Sequence, residues 1–503
     1  MKRLLFISMA LCYNVTIAQS SFVKDSLDNY INRGMKQWDI PGVAVAIVKD
    51  GKTVFIKGYG VREIGKPDKV DANTLFMIGS NTKAFTATAL AKLDADKKLS
   101  LNDPVQKWLP DFQLYDPWIA KQATITDLLC HRLGFETFQG DFMFFDSDLT
   151  TPEMIAKFGK LKAMYGFRSR WGYTNAAFMM AGEIFPKVTG KSWADNIREN
   201  IFIPVGMKNS VAMSDEIAKA PNRAAAHTNL GGPLRTIAYG HLDGLSPAGS
   251  ISSSAADMAR WVTMLLDTGR IDGKVVIPKE AIFKTREPQS ILGNGWHPFN
   301  EQHFDLYGLG WELYEYEGRE FVGHTGGVNG FVTSVALFPE DRLGIIVLTN
   351  TDSNSFFEAL RNEIQDSFFG LPYRNYSNFY YTRIKAREQR NDLRIKQQRD
   401  TIAMKPKTDL PLAAFVGTYK HELYGNMTMT LKGDKLVAVF EHHKGRYADV
   451  EPLGKNRFLA TFNEALYGTK VWPFKIEGGK VKSVTVTVAD FVEFTPYEFV
   501  KVK

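Results

Sequence analysis

Residues 76–90, FMIGSNTKAFTATAL, form the stretch on which both the fold and the chemistry of this chain depend. Ser80 and Lys83 stand three residues apart in it, so a helix beginning at Ser80 puts Lys83 one turn further on, roughly on the same face. An ammonium group beside a hydroxyl near a helix N-terminus lowers the cost of forming an alkoxide. An isolated S-x-x-K pattern is better explained by an N-capping serine and a surface lysine. The stretch therefore indicates a nucleophile only if other segments support it.

Two later segments give that support. RWGYTNAAFMMAG (170–182) contains Tyr173 and Asn175, and a strand-like segment ends in HTGG (324–327). A tyrosine held near a lysine is deprotonated more easily and can act as a general base. Glycines at the end of a strand let backbone approach a substrate, and a free edge N–H can serve an oxyanion hole. Taken alone, Tyr173 is explained as a packed aromatic residue and HTGG as a turn. Together and in this order, the three segments indicate one site.

The order of predicted elements around these segments is typical of an α+β domain. Residues 42–60 form a predicted hairpin around Asp50-Gly51, and a block of helices and loops follows to about residue 270. Antiparallel strands return after residue 305, and residues 355–370 form a closing helix. We therefore expect a domain over 22–370 whose antiparallel sheet pairs its N- and C-terminal parts around the helical block.

The rest of the chain has a different composition. Residues 371–411 form a charged linker, with seven basic and three acidic residues between 383 and 400. A solvated, partly helical connector explains this composition, and a polyanion-binding patch is the alternative. Within 412–503, short alternating runs recur at roughly ten-residue spacing between Gly, Asp and Asn residues. This pattern predicts a small, all-β, barrel-like domain.

The N-terminus has the features of a signal peptide over residues 1–18. Lys2 and Arg3 precede an apolar stretch, and a small-residue cleavage site ends at Ala18. This predicts an exported, periplasmic or secreted protein without a membrane span in the mature chain. Lipoprotein anchoring through Cys12 is the alternative. A lipobox requires a small residue before the cysteine, and none precedes Cys12. After cleavage only Cys130 remains, so no intrachain disulfide forms.

The three motifs together resemble the serine β-lactamase and penicillin-recognising family. The Y-x-N form is similar to its class C and D-Ala-D-Ala carboxypeptidase branch, which includes esterases and D-amino-acid-directed peptidases. The similarity covers roughly residues 25–370. It extends to segments that are similar to the family framework: IPGVAVAIVKDG (40–51), KLSLNDPVQKWLP (98–110) and LSPAGSISSSAADMARW (245–261).

For the chemistry, the resemblance implies Ser80 as the nucleophile and Lys83 as its activating partner. Tyr173 would be the general base and acid. The backbone N–H groups of Ser80 and Gly327 would form the oxyanion hole. No metal or organic cofactor is implied.

For substrate binding, the resemblance implies contacts from Asn175, His324, Thr325 and Gly326. His324 stands where the family usually has lysine, so we expect the positive charge at this position to depend on pH, because an unperturbed imidazole is mostly neutral at pH 7. β-Lactams carry a carboxylate that this lysine helps to hold. The sequence H-R-L-G at 131–134 replaces the more usual H-T-S-G, which we interpret as a structural change.

These features predict a serine hydrolase that forms an acyl-enzyme with an amide or ester, most simply a peptidase or esterase acting on a small molecule or peptide. A true class C-like β-lactamase and a non-catalytic penicillin-binding sensor remain alternatives. The net charge of +7 over 503 residues is too small an excess to indicate nucleic-acid binding. The C-terminal segment, with AAFVGTYK (413–420), is similar to a lipocalin-like domain appended to some family members; through it the chain could form oligomers.

Overall fold

The computed structural model describes residues 20–145 and 147–502. The predicted signal peptide at 1–18 and Cys12 lie outside these residues. Cys130 is a free, buried thiol. Among the helices in the described ranges, none combines the length and the apolar character needed to cross a bilayer.

The first domain is built on an eight-stranded antiparallel sheet. The domain also contains three short strand pairs, and all of its strands in chain order are β1 (Gly42–Lys49), β2 (Lys52–Gly60), β3 (Phe76–Met77), β4 (Ala226–Thr228), β5 (Arg235–Ile237), β6 (Ser252–Ser253), β7 (Arg270–Ile271), β8 (Lys274–Val275), β9 (Ser290–Gly293), β10 (Gln302–Tyr307), β11 (Glu312–Tyr316), β12 (Arg319–Val328), β13 (Phe331–Phe338) and β14 (Leu343–Thr349). The sheet has the order β2-β1-β14-β13-β12-β11-β10-β9, and β3-β6, β4-β5 and β7-β8 are short pairs. Val43 of β1 lies opposite Thr349 of β14. The predicted pairing of the N- and C-terminal parts is confirmed.

Helices cover both faces of this sheet. In chain order they are α1 (Ser21–Asp25), α2 (Leu27–Trp38), α3 (Thr82–Ala95), α4 (Val105–Trp108), α5 (Pro117–Gln122), α6 (Ile125–Leu129), α7 (Thr151–Phe158), α8 (Asn175–Gly182), α9 (Ile184–Thr189), α10 (Trp193–Ile197), α11 (Ile203–Val205), α12 (Ser246–Gly249), α13 (Ala255–Leu266), α14 (Lys279–Arg286) and α15 (Phe356–Phe368). α13 packs on β1 and β14 from one side, and α15 packs on β13 and β14 with α2 against it. The block of helices predicted between the first hairpin and about residue 270 is present.

Because both faces are covered, the central strands are apolar along their whole length. Every residue of β13 and β14 is buried. Along β1, Ala44 and Ala46 belong to the larger core, while Val43 and Val45 belong to the core beneath α2 and α15. Successive side chains of a strand point to opposite faces, so one uninterrupted apolar run supplies two cores.

The predicted charged linker contains one long helix, α16 (Tyr376–Ala403). It begins against the first domain, where the Tyr376 hydroxyl donates to Asp366 (2.6 Å). Near its other end, Arg399 forms an ion pair with Glu451. Most of the surface of α16 between these points is exposed. The connector is solvated and partly helical, as its composition indicates, and its helical part is one continuous helix.

The C-terminal strands form a closed antiparallel barrel. They are β15 (Gly417–His421), β16 (Gly425–Lys432), β17 (Lys435–Phe440), β18 (Tyr447–Gly454), β19 (Arg457–Phe462), β20 (Thr469–Glu477), β21 (Lys480–Val486) and β22 (Tyr497–Lys501). Their interior is filled by side chains such as Trp472 and Phe474. At one end the ring of Phe142, from the first domain, stacks on His443 (4.4 Å between ring centroids). The barrel therefore packs onto the first domain through a shared apolar contact.

Candidate active site

Ser80 lies in a 3-10 turn, Gly79–Asn81, that leads directly into α3. The helix therefore begins at Thr82, slightly later than the sequence indicates. Gly79 has a φ of +53°, and a Cβ at this position would lie 2.8 Å from the backbone N of Gly327. Only glycine accepts that conformation and that approach without strain. The turn thus brings Ser80 against the end of β12.

Polar contacts from β13 fix the same turn. The Thr333 hydroxyl donates to the carbonyl of Ile78 (3.0 Å), and Asn81 Nδ2 donates to Thr333 Oγ1 (2.9 Å). The described pairing of β11 with β12 ends at Glu312 opposite Gly323, whereas β13 pairs with β12 as far as Val328. β12 is thus an inner strand of the sheet whose last residues, including His324–Gly327, form a local edge facing the site.

Lys83 is fully buried one turn after Ser80. Its Nζ donates to Ser80 Oγ (3.2 Å), Asn175 Oδ1 (2.8 Å) and the carbonyl of Ala248 (2.8 Å). Burial lowers the pKa of Lys83 to about 7, and the nearby Asp141 opposes that shift. An amine with this pKa is partly neutral at neutral pH, so it can accept a proton.

Tyr173 completes the group around Ser80. Its ring centroid lies 4.6 Å from Lys83 Nζ, and its hydroxyl is hydrogen-bonded to Ser80. Burial raises the pKa of Tyr173 well above its ordinary value, although the hydrogen bond with Ser80 acts in the opposite direction. The buried ring of His131 lies 4.4 Å from that of Tyr173, and its Nδ1 accepts from the Thr174 N–H (3.0 Å). His131, the first residue of the H-R-L-G segment at 131–134, therefore packs against Tyr173 and accepts a hydrogen bond from the residue that follows it.

Asn175 connects Lys83 to a buried acid that the sequence motifs do not include. Asn175 Nδ2 donates to Asp141 Oδ2 (2.5 Å). Burial raises the pKa of Asp141 to about 8, against a hydrogen bond from Asn175 that lowers it. The second oxygen, Oδ1, is buried without a hydrogen-bond partner among the described residues. Asp141 therefore orients the amide through Oδ2 and leaves Oδ1, which carries the proton when the carboxyl is neutral, at the pocket.

His324 is neutral, which differs from the expectation of a pH-dependent charge. Burial lowers the pKa of its imidazole to about 3, and the Lys83 ammonium acts in the same direction. Its Nδ1 lies 2.5 Å from the carbonyl of Thr325, so Nδ1 carries the proton, and Nε2 accepts from the Tyr307 hydroxyl (3.0 Å). At ordinary pH this position carries no positive charge, because a buried imidazolium is too poorly solvated.

A cavity of about 350 Å³ opens above these groups. Its lining comprises Ser80, Thr137, Phe138, Asp141, Phe145, Trp171, Tyr173, Asn175, Glu312, His324, Thr325, Gly326, Gly327, Val332, Phe357 and Phe491. Apart from Lys83, each side-chain or backbone site position predicted from the sequence is in this lining. Phe491 comes from the C-terminal domain.

Among the described residues, one group of side chains has the spacing of metal ligands: Asp215, His241 and Asp243. His241 Nδ1 pairs with Asp215 (2.9 Å), and Asp243 accepts from the Ser214 N–H and hydroxyl (both 2.6 Å). None of the three lines the cavity above Ser80. These contacts account for the group as a surface hydrogen-bond network.

Comparison with known families matches residues 27–367 to the family described as Beta-lactamase and residues 403–501 to a domain of unknown function. The chain belongs to the Beta-lactamase family. Family membership and the α+β fold agree with the expectations from the sequence motifs. The domain of unknown function coincides with the closed barrel and the end of α16.

Two relatives of this Beta-lactamase family chain are unguisins hydrolases. That of Aspergillus violaceofuscus is 27% identical over 431 residues, covering 80% of this chain and 75% of the relative. That of Aspergillus campestris is 30% identical over 424 residues, covering 79% and 76%. The octameric penicillin-binding protein homologue from Pyrococcus abyssi matches in structure with a TM-score of 0.62 and 22% identity, over 94% of this chain and 99% of that one. These likenesses show a hydrolase family and a shared fold.

Nine residues of the cavity lining in this Beta-lactamase family member were not predicted, among them Asp141, Glu312 and Phe491. Glu312 is at the start of β11, and burial raises its pKa to about 7. Asp141 begins a 3-10 turn of the first domain and Phe491 lies in a loop of the second, both outside any short motif. The acid in GDFMFF (140–145) was the available signal, because a carboxylate among aromatic residues needs a polar partner when buried.

Proposed function

We propose that this protein is a serine hydrolase that cleaves amide or ester bonds through an acyl-enzyme on Ser80. The observation that carries the proposal is the position of Lys83, whose buried Nζ contacts both Ser80 Oγ and Asn175 Oδ1. Its pKa, lowered to about 7 by burial, leaves part of the lysine neutral at neutral pH. The arrangement supports a nucleophile with an adjacent base, held by a third group.

In the proposed first step, the neutral Lys83 amine takes the proton of the Ser80 hydroxyl while Oγ attacks the substrate carbonyl carbon. Burial raises the pKa of Tyr173, so its phenol stays protonated and is a poor resident base. Its hydrogen bond with Ser80 instead suits it to relay a proton from Lys83 to the leaving nitrogen or oxygen. Tyr173 is then the general acid and a proton relay, with Lys83 as the base.

The negative charge on the tetrahedral intermediate needs donors in place before the reaction. The backbone N–H groups of Ser80 and Gly327 are the proposed oxyanion hole, and the close approach of Gly79 to Gly327 N supports their convergence. Each such donor contributes roughly 3–4 kcal/mol to transition-state stabilisation in comparable sites. Collapse releases the leaving group, and water repeats the sequence to free Ser80 and the acid.

For the substrate, we propose a peptide or ester without a carboxylate next to the scissile bond. His324 is neutral, and Lys83 is occupied by Ser80, Asn175 and Ala248, so neither is free to pair with such a group. The acids Asp141 and Glu312 line the same cavity. This set of groups favours a peptidase or esterase over a β-lactamase, and the Aspergillus relatives named hydrolases support the reaction type.

The test is active-site labelling combined with turnover. A fluorophosphonate probe should label the wild-type protein and the Ser169→Ala control, whose exposed serine lies outside the cavity. It should not label Ser80→Ala, which intact mass would show. Hydrolysis of p-nitrophenyl esters should exceed that of nitrocefin. Labelling that persists in Ser80→Ala would refute the nucleophile, stable acylation without turnover would indicate a sensor, and faster nitrocefin hydrolysis would indicate a β-lactamase.

A further inference from the structure

The turn that carries Asp141 lies between the two domains. Asp141 accepts from Asn175 in the site of the first domain. The next residue, Phe142, points the other way and packs among barrel aromatics, with ring centroids 5.4 Å from Tyr424 and 5.3 Å from Phe440. Two adjacent residues of one short 3-10 turn thus face opposite ways: Asp141 contacts Asn175 in the site, and Phe142 contacts the barrel interior.

The barrel holds this turn through a buried carboxylate. Glu493 Oε1 accepts from the Gly140 N–H (2.6 Å), and Oε2 accepts from the Phe142 N–H (3.1 Å). The Tyr424 and Tyr497 hydroxyls also donate to it, at 2.8 and 2.5 Å. Glu493 is 1% exposed. Four donors hold the Glu493 carboxyl group in place, and each of its oxygens accepts from one of the two backbone N–H groups, of Gly140 and Phe142, that flank Asp141.

The backbone before Asp141 would not hold its shape alone. Phe138 has a φ of +60°, a left-handed conformation that a bulky residue seldom adopts, and its ring lies edge-on to Tyr173 (5.6 Å). Such strain persists only where surrounding structure fixes it. On its other side, Phe138 stacks with Phe494 of the barrel (5.8 Å, 17° between ring planes). The first domain contributes the hydrogen bond from the Phe138 N–H to the Tyr173 carbonyl (2.8 Å), and residues 493 and 494 of the barrel add contacts on both sides of Asp141.

The same segment also reaches the cavity. Residues 487–496, the barrel loop, connect β21 to β22. The Phe491 ring in this loop lines the cavity and would lie 3.5 Å from a Cβ built at Gly327. It is 43% exposed, so it covers the cavity without being part of a core. Together with Phe138 and Phe145 it gives the cavity an apolar wall on the barrel side.

We propose that the barrel loop is part of the active site, with Phe491 as a specificity-determining residue that favours substrates with a large apolar acyl group and Glu493 as a positioning residue for Asp141. The inference rests on the proposed function, because it assigns the substrate class of the same site. Phe491 acts by covering apolar surface of the substrate. Glu493 acts through the 140–142 backbone on Asp141, Asn175 and Lys83.

The specificity part is tested with p-nitrophenyl acetate, butyrate and octanoate. Burial of a long acyl chain against an aromatic ring predicts that Phe491→Ala lowers kcat/KM for octanoate about tenfold and for acetate less than about twofold. The control is Phe304→Ala, an exposed phenylalanine of β10 outside the cavity, which should match wild type for all three esters. An equal loss for all esters, or no loss for octanoate, would overturn this part.

The positioning part is tested with Glu493→Gln, in which one oxygen that accepts a backbone N–H becomes an amide donor. Misplacing the turn predicts a fall of about ten- to a hundredfold in kcat for acetate, with KM changed less than about twofold. The matched control is Glu477→Gln, an exposed carboxylate at the opposite end of β20 and β21, paired with Lys475. It should be unchanged.

A pH profile separates positioning from general destabilisation. Asp141 faces Lys83, Glu493 and Tyr173, and Lys83 also faces His131 and His324. Burial raises the pKa of Glu493 itself to about 7. Around and above that pH the Glu493 charge raises the pKa of Asp141, so its removal makes Asp141 more acidic there. An ionised Asp141 raises the pKa of Lys83, so the acid limb of kcat/KM should move to higher pH. A folded Glu493→Gln protein, verified by thermal melting, with wild-type kcat and an unmoved limb would overturn this part.

The labelling experiment on Ser80 keeps the two levels of inference apart. If fluorophosphonate labels Ser80 and both loop variants behave as their controls, the barrel loop is only structural and the hydrolase proposal stands. If Ser80→Ala is still labelled, the proposed function fails first, and the loop variants then report on a different nucleophile.

Discussion

The helix-and-strand framework around Ser80 and the barrel loop contribute to one cavity by different means. Lys83 lies in α3, where a short motif fixes its relation to Ser80, and Tyr173 lies in the loop just before α8; both side chains are buried. Phe491 and Glu493 belong to a loop whose place is set by contacts with a separate domain. In the proposed enzyme, the framework supplies the reacting groups, and the appended domain shapes the cavity above them.

The largest expected effect is on the framework side. Lys83→Met keeps the length of the side chain but removes the base, so kcat/KM should fall by at least about 10³-fold, as for other residues that act as a unit with a nucleophile. The fold should be retained, because an apolar side chain suits a fully buried position. Ester hydrolysis and thermal melting measure the two effects. Activity within tenfold of wild type would remove Lys83 from the mechanism.

At the contact between the two regions, stability should respond more than chemistry. Phe142→Ala removes a buried ring from the barrel aromatics, which predicts a loss of about 3–5 kcal/mol in the free energy of unfolding. Phe283→Ala, at a half-exposed phenylalanine of α14, is the control and should lose much less. Urea unfolding measures both. Equal losses would mean that the barrel contact is not a stabilising one.

The pH dependence of the wild-type protein tests the electrostatics of the framework. Burial lowers the pKa of Lys83 to about 7, and the proposed base is the neutral amine. The value of kcat/KM should therefore rise with pH up to about 7 and fall about tenfold per pH unit below it. Steady-state kinetics from about pH 5 to about pH 9, a range that brackets the pKa of Lys83, check this. A flat profile across that range would exclude Lys83 as the titrating base.

The smallest expected effects are on α16, which joins the two regions. Arg399→Ala removes the contact to Glu451 of the barrel and should cost about 1 kcal/mol in the free energy of unfolding. Lys396→Ala breaks only an exposed pair with Asp400 and should cost less than about 0.5 kcal/mol. Chemical denaturation compares the two. If the order were reversed, the ion pair to the barrel would not help to hold the helix in place.

Several features were predictable because their causes are local in the chain. The hairpin of β1 and β2 turns at Asp50 and Gly51, whose φ angles of 53° and 76° match the type I′ turn that this pair favours. α15 and the barrel strands follow from spacing of apolar residues at periods of 3.6 and 2. Ser80 and Lys83 fall near each other because three residues make about one helical turn.

Other features were not predictable, because they depend on which distant segments meet. Glu493 is 352 positions after Asp141 in the numbering, and no pattern near either residue records that one holds the turn of the other. The charge on His324 was predicted as pH-dependent from its ordinary pKa, but burial beside Lys83 keeps it neutral. The linker was predicted to be partly helical, but its composition did not specify the bounds of α16.

The resemblance of the three motifs was enough to predict the family, and the α+β framework and the barrel strands were predictable because turn chemistry and side-chain periodicity act over a few residues. Tertiary structure alone decided the state of charge of Lys83, Asp141 and His324 and the entry of Phe491 into the cavity. A pKa depends on solvent and neighbours in three dimensions, and a cavity wall depends on which surfaces pack together. Neither quantity is local in the chain.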